Sequence, residues 1–382
     1  MKEATRLLHA GQAPASLQRT VGPPIQKGST VLLPDAASLY DDSRATYGRA
    51  GLATHEALMA GLAALENAAA VRLFPSGLAA LTGSLLAVLR AGDDVLVTDA
   101  IYKPTRRFCD RVLGRFRVAV RYYPPCASAE QLMTLCRPET RLIVMESPGS
   151  LTFEMQDIPA IAAAAQARGV LTLVDNTWAA GVFFKPLDHG VDISVQALTK
   201  YVGGHSDVFM GSAAASDPRL TEALDQAILN FGWSVSADDA YLMLRGLRTL
   251  PTRLARHQQS GVAVAAWLAD HPGVVEVLHP ALEDARGHDL WRRDFTGAAG
   301  LFAFVLGGSL SDAPRRFLDA LRLFGLGFSW GGFESLALDG DPQFDVRAVR
   351  PDFGGALIRL HVGLEDPDDL IADLEQALSA AS

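Results

Sequence analysis

The stretch DISVQALTKYVGGHSDVFMG, residues 192–211, decides how this chain reads. Ile193, Val195 and Ala197 recur at every second position, the alternation of an extended segment with one packed face. Lys200 stands at the end of that segment, just before the pair Gly203 and Gly204, so an ammonium group is placed where apolar packing stops. Earlier in the chain, LTLVD (171–175), RLIVMES (141–147), RVAVRYY (117–123) and DVLVT (94–98) are further short runs rich in β-branched and apolar residues, as buried parallel strands should be.

Helical signatures lie between these runs. Thr54 is a candidate cap for a helix carrying Leu58, Leu62 and Leu65, and Ser76 precedes GLAALTGSLLAVLR, which Gly92 closes. Pro104 suits a first turn, Ser128 with Gln131 makes a capping box, and Asp157 opens an alanine-rich helix ending at Gly169. Alternating strands and helices imply the α/β class: a mostly parallel central sheet of six or seven strands with crossover helices, over residues 52–246. Beyond residue 246 a long helical stretch (251–271) leads to spaced strands in VVEVLH, GLFAFVLG, LGFSW and LIRLHVG, then to an amphipathic helix from Asp366. That reads as a smaller α+β C-terminal domain, residues 247–382. Residues 1–51 show no sustained periodicity and read as an N-terminal arm.

Composition narrows the function classes. The 382 residues carry a formal net charge of −9 and no basic run, which argues against nucleic acid or an anionic membrane as partner. Charged residues are only 20% of the chain, which suggests surface covered by partner subunits and hence a homo-oligomer. Cys109, Cys126 and Cys136 form no CxxC pair, fitting a reducing compartment. The N-terminus lacks the apolar core of a signal peptide, and no run is long enough for a membrane span. The expectation is a cytoplasmic protein. No metal site is expected either: His205 has no second ligand at ligand spacing.

Ligands of an open parallel sheet bind beyond the carboxyl ends of its strands. Asp175 follows LTLV, Thr199 and Lys200 follow ISVQAL, and Asp99, then Tyr102, follow LVT. Most lysines are solvated surface charges, but a partly desolvated one with a lowered pKa is an amine nucleophile that readily forms Schiff bases. Asp175, which alone would be as consistent with a cap, offers an acceptor for a protonated pyridine nitrogen. Ser76 and Gly77 open a helix whose free N–H groups favour an anion, Thr199 adds a hydroxyl, and the ring of Tyr102 can lie flat on an aromatic cofactor. Together these parts specify pyridoxal 5′-phosphate.

The chain resembles the Cys/Met-metabolism family of pyridoxal-phosphate enzymes, and most closely its β-lyase branch. The matching motifs are ATYGR, FPSG, ESPGS, VDNTWAAG, TKYVGGHSD, SWGGFESL and LIRLHVGLED, spread from residue 45 to 366. The resemblance implies a fold-type I, transferase-like architecture and a set of roles. Lys200 would carry the cofactor, Asp175 would pair with its ring nitrogen and Tyr102 would stack on the ring. Gly77, Leu78 and Thr199 would hold the phosphate. Tyr47 and Arg49 would reach the phosphate of a neighbouring subunit, with Tyr47 counted among the catalytic residues, in a homotetramer whose active sites are shared between paired subunits. Arg359 would bind the substrate α-carboxylate, Ser329 and Trp330 would line the β-lyase site, and His205 and Asp207 would brace the Lys200 loop.

The activity so implied is α,β-elimination from an amino-acid thioether, splitting cystathionine into homocysteine, pyruvate and ammonia. Two positions depart from the family pattern: Ala50 stands where a second arginine is usual, and Arg107 where an acidic residue is usual. Both positions serve the distal end of cystathionine, so Arg107 would take a distal carboxylate, or another S-substituted cysteine would be the substrate. Alternatives are a γ-eliminating or sulfhydrylating member, against which Trp330 argues, and a non-catalytic regulatory protein that binds the cofactor.

Overall fold

In a computed structural model the described residues are 1–12, 20–41, 44–308 and 312–381. Seven strands, β1 (Ala70–Phe74), β2 (Asp94–Thr98), β3 (Ala119–Tyr123), β4 (Thr140–Glu146), β5 (Leu171–Asp175), β6 (Ile193–Gln196) and β7 (Gly211–Ala215), form one sheet in the order β1-β7-β6-β5-β4-β2-β3. Pairing is parallel from β3 to β6, whereas β7 runs antiparallel to both β6 and β1. Strands β8 (Val274–Leu278), β9 (Leu301–Leu306), β10 (Gly325–Leu326), β11 (Leu336–Asp339) and β12 (Ala356–His361) form a second sheet, ordered β10-β11-β12-β9-β8 and antiparallel except for β10 with β11.

The helices are α1 (Glu3–His9), α2 (Ala53–Glu66), α3 (Gly77–Val88), α4 (Lys103–Arg111), α5 (Ala129–Leu135), α6 (Ile158–Gln166), α7 (Pro218–Phe231), α8 (Ala237–Ala269), α9 (His288–Asp294), α10 (Ala313–Ala320) and α11 (Pro367–Ala381). Strand alternation assigns the two faces of the large sheet. Val95, Val97, Leu142, Val144 and Leu173 pack with Leu81, Leu85 and Leu224 of α3 and α7. Their neighbours Leu96, Ile143, Met145 and Val174 pack with Leu58, Leu62 and Leu247 of α2 and α8.

That second cluster also takes Leu301, Ala303, Val305 and Leu357 from one face of the smaller sheet, whose other face (Phe302, Phe304, Ile358, Leu360) packs on α10, α11 and the end of α8. Arg359 and His361 share the strand parity of Leu357 and so belong to the face toward the large sheet. Burial of Leu357 thus decides which way Arg359 is presented.

Several local expectations are corrected. Thr54 does not cap α2: it lies inside the helix, where its hydroxyl donates to Pro24 O and accepts from Gln26 N–H, both at 2.8 Å. Leu52 is the N-cap, and the His55 ring accepts its N–H at 3.1 Å. Helix α3 stops at Leu89, so Gly92, at φ +98, shapes the turn into β2 instead. Helix α8 begins fourteen residues before Pro251 and runs unbroken through residue 246; its cap is Ser236, whose hydroxyl accepts Asp239 N–H at 3.0 Å. Of LGFSW only Leu326 is in a strand, leaving Ser329 and Trp330 in a loop. The arm carries a short helix, α1, whose Leu7 is buried against the core.

Candidate active site

Three adjacent strands end at the site. β4 ends in Glu146, β5 in Asp175, paired in register with it, and β6 runs into the turn that carries Lys200. Asp175 is buried and accepts from the backbone N–H of Thr177 at 3.1 Å and from the Thr177 hydroxyl. Burial raises its pKa, while the Thr177 bonds and Lys200 favour the ionised form. The Thr177 hydroxyl also accepts Ala197 N–H at 2.9 Å, linking Asp175 to the exit of β6.

Lys200 donates from Nζ to Ser329 Oγ at 2.8 Å, and Nζ lies 5.1 Å from the centroid of the Trp330 ring. Burial and, after it, the Arg359 guanidinium lower the ammonium to about 8, against the opposing pull of Asp175. Arg359 donates from Nη2 to the carbonyls of Phe328 and Ser329 at 3.0 and 3.2 Å, and burial lowers it to about 10. One loop, 328–331, therefore touches Lys200 and Arg359 together.

Tyr102 precedes α4, its backbone N–H accepted by Glu146 Oε2 at 2.7 Å. The residue is 43% exposed, and burial of the hydroxyl followed by Asp175 and Glu146 raises its pKa. Glu146 is itself held well above the usual carboxylate range by burial and by Asp175.

Ser76 caps α3, its hydroxyl accepting Ala79 N–H at 3.1 Å, so the earlier N–H groups of Gly77 and Leu78 are left without intrahelical partners. A Cβ on Gly77 would stand 2.3 Å from that of Ala197; only glycine lets the helix start approach β6 so closely. An aldehyde- and phosphate-bearing heterocycle fits these donors: an amine of lowered basicity, a buried carboxylate and an open helix N-terminus beside them.

The other expected residues make different contacts. The Thr199 hydroxyl is engaged with the Met210 backbone, accepting its N–H at 3.0 Å and donating to its carbonyl at 3.2 Å. Tyr47 and Arg49 are exposed on the arm, with the guanidinium 5.2 Å from the Tyr47 ring centroid, and neither bonds to Lys200, Asp175, Tyr102 or Arg359. Arg107 and Ala50 are exposed, and Leu78 is partly so. His205 bonds only the Gly203 carbonyl, at 2.7 Å, and Asp207 is exposed.

The brace under the lysine turn is instead Arg253 of α8, unmarked in the sequence reading. It donates to the carbonyls of Tyr201 (2.6 Å), Val202 (3.2 Å) and Gly246 (2.8 Å). A Cβ on Gly204, which has φ +69, would strike its guanidinium, which accounts for the second glycine of the pair. The clue was an arginine at a buried helical position, between Leu250 and His257.

The family model for "Cys/Met metabolism PLP-dependent enzyme" matches residues 4–379. A putative cystathionine β-lyase of Rhizobium johnstonii is 48% identical, covering 99% of this chain and 96% of its own. The cystathionine β-lyase MetC of Escherichia coli is 44% identical, over 97% of this chain and 96% of its own. The crystal structure of metB from Corynebacterium glutamicum superposes with a TM-score of 0.93 at 30% identity, covering 99% of this chain and 98% of that one.

Proposed function

Since the chain belongs to the Cys/Met metabolism PLP-dependent enzyme family, we propose that it cleaves the Cβ–S bond of cystathionine or a related S-substituted L-cysteine by α,β-elimination. The observation that carries this reading is the contact of Lys200 Nζ with Ser329 Oγ, which aims a proton-transferring amine into a site that also holds Arg359. Bound pyridoxal phosphate supplies an electron-withdrawing ring that stabilises negative charge left at the substrate Cα.

This chain's residues do the rest. Arg359 grips the α-carboxylate with the donors that its two carbonyl contacts leave free. Lys200, neutral at moderately alkaline pH, takes the Cα proton at Nζ and returns a proton to the departing sulfur, while Ser329 holds Nζ in line. The Asp175 carboxylate, whose ionised form the Thr177 bonds favour, would pair with the protonated ring nitrogen. Tyr102, tethered through its N–H to Glu146, would stack on the ring. Cα–H and Cβ–S break, Cα=Cβ forms and the thiol leaves protonated. The released enamine then hydrolyses to pyruvate and ammonia.

Gly77 and Leu78 would hold the phosphate. Tyr47 and Arg49, exposed here, would complete the site of an adjacent copy in a homotetramer. The chain would be organised as arm (1–51), cofactor-binding domain (52–246) and C-terminal domain (247–382), and would work in the cytoplasm; no described helix is long and apolar enough to cross a membrane. A panel of thioether amino acids scored by keto acid tests the proposal. Pyruvate from cystathionine supports it, 2-oxobutyrate points to γ-elimination, and cofactor binding without any keto acid points to a regulatory protein.

A further inference from the structure

The loop that meets Lys200 is held from behind by a buried polar cluster with no part in the bond-breaking steps. Gly331 has φ +86, and a Cβ there would stand 2.9 Å from the Lys200 backbone, so its peptide lies flush against the lysine. Its N–H donates to His361 Nε2 at 3.0 Å. The same nitrogen lies 3.1 Å from the Gly332 carbonyl, and it cannot accept from one group and donate to the other. An orphaned buried N–H is worse tolerated than an orphaned carbonyl. Nε2 therefore carries the lone pair, and the His361 proton sits on Nδ1.

Buried His361 Nδ1 makes no hydrogen bond among the described residues, and neither does His257 Nε2. His257 Nδ1 faces the Val362 carbonyl at 2.9 Å and must be protonated to bond it, which leaves Nε2 as an acceptor. An unpaired donor on one ring thus answers an unpaired acceptor on the other, with ring centroids 5.3 Å apart. The ring of Tyr201, next in sequence to Lys200, lies 5.2 Å from that of His257 and 5.9 Å from that of His361. The hydroxyl of Ser260, one turn along α8 from His257, is also buried and unpartnered. Convergent buried polar atoms of this kind are satisfied by internal water.

We infer that His361 is a positioning residue for Lys200: its neutral, Nδ1-protonated ring holds the Gly331 peptide against the lysine and is joined through internal water to His257 and Ser260. Burial and, after it, His257 lower its pKa well below the ordinary value, against the opposing pull of the Gly332 carbonyl, and so favour the uncharged ring. The inference rests on the proposed function only in taking Lys200 as the reactive amine.

The test compares His361→Gln, whose amide oxygen reaches the Nε2 position, with His361→Leu, which has similar bulk and no acceptor. The readouts are pyruvate turnover of the holoenzyme and the pH midpoint of Lys200 acylation in folded apoprotein. His361→Leu is expected to lower kcat about tenfold with little change in KM, and to move the acylation midpoint. His361→Gln is expected to restore both. Equal behaviour of the two variants, impaired or not, overturns the inference. If neither folds, a high-resolution crystal structure of the unaltered holoenzyme decides. Water bonded to both His361 Nδ1 and His257 Nε2 upholds the inference, and a ring donating to Gly332 sinks it. The apoprotein midpoint is independent of which keto acid forms, so failure here is separable from failure of the proposed reaction.

Discussion

Arg253 donates from Nη1 to the carbonyl oxygen of Tyr201 at 2.6 Å, tying the middle of α8 to the residue that follows Lys200. Burial lowers this guanidinium to about 10, and its hydrogen bonds run to three carbonyls and the Thr249 hydroxyl rather than to a carboxylate. Arg253→Lys keeps the charge but cannot span three acceptors. It should destabilise the apoprotein by roughly 2–4 kcal/mol and weaken cofactor retention, measured by denaturant unfolding and cofactor titration. Unchanged stability would remove Arg253 from its bracing role.

Lys200 has a folded-state value of about 8 against an ordinary 10.5, so its reactive neutral form appears as pH rises through about 8. Acylation of the apoprotein followed by peptide mapping should be half-maximal there, well below the surface lysines. Asp175→Asn, which removes a charge favouring the ammonium, should push the midpoint lower still. The unfolded chain binds the extra proton between about 8 and 10.5, so this group's contribution to apoprotein stability rises with pH across that window.

Arg359 donates from Nη2 to Phe328 O and Ser329 O. Arg359→Lys keeps the charge and loses the planar fork, and should raise KM for amino-acid substrates about 10- to 100-fold, with a smaller effect on kcat. Initial pyruvate rates over a substrate range give the split; an unchanged KM would place carboxylate recognition elsewhere.

A methyl group on Gly77 would meet Ala197 Cβ at 2.3 Å and Cα at 2.8 Å, and neither is a flexible side-chain end. Gly77→Ala must displace the start of α3 from β6, so pyridoxal-phosphate affinity should fall by about tenfold or more in a fluorescence titration of the apoprotein. Wild-type affinity would show that the anion cradle does not depend on this approach.

The five parallel strands were legible because each is a short apolar run bounded by turn chemistry. β7 was not: GSAAA (211–215) holds small residues only, and its antiparallel place between β1 and β6 comes from burial rather than β propensity. The start of α8 escaped because Pro251 resembles a first-turn proline, although Ser236 caps the helix fifteen residues earlier. Thr199 was legible as a hydroxyl near a phosphate site, but the return of the chain at Met210 engages it.

Sequence by itself determined which chemical groups stand at the strand ends: Asp175, Lys200 and the Ser76–Gly77 helix entry follow from local periodicity, because strand length and helix capping are set by neighbours in the chain. Tertiary structure alone decided what those groups meet. Ser329 reaches Lys200 from 129 positions away, Arg253 supports the turn from another helix, and His361 holds Gly331 only because burial of Leu357 orients β12. Such contacts depend on which faces are excluded from water when two sheets share one core, and no local pattern carries that information.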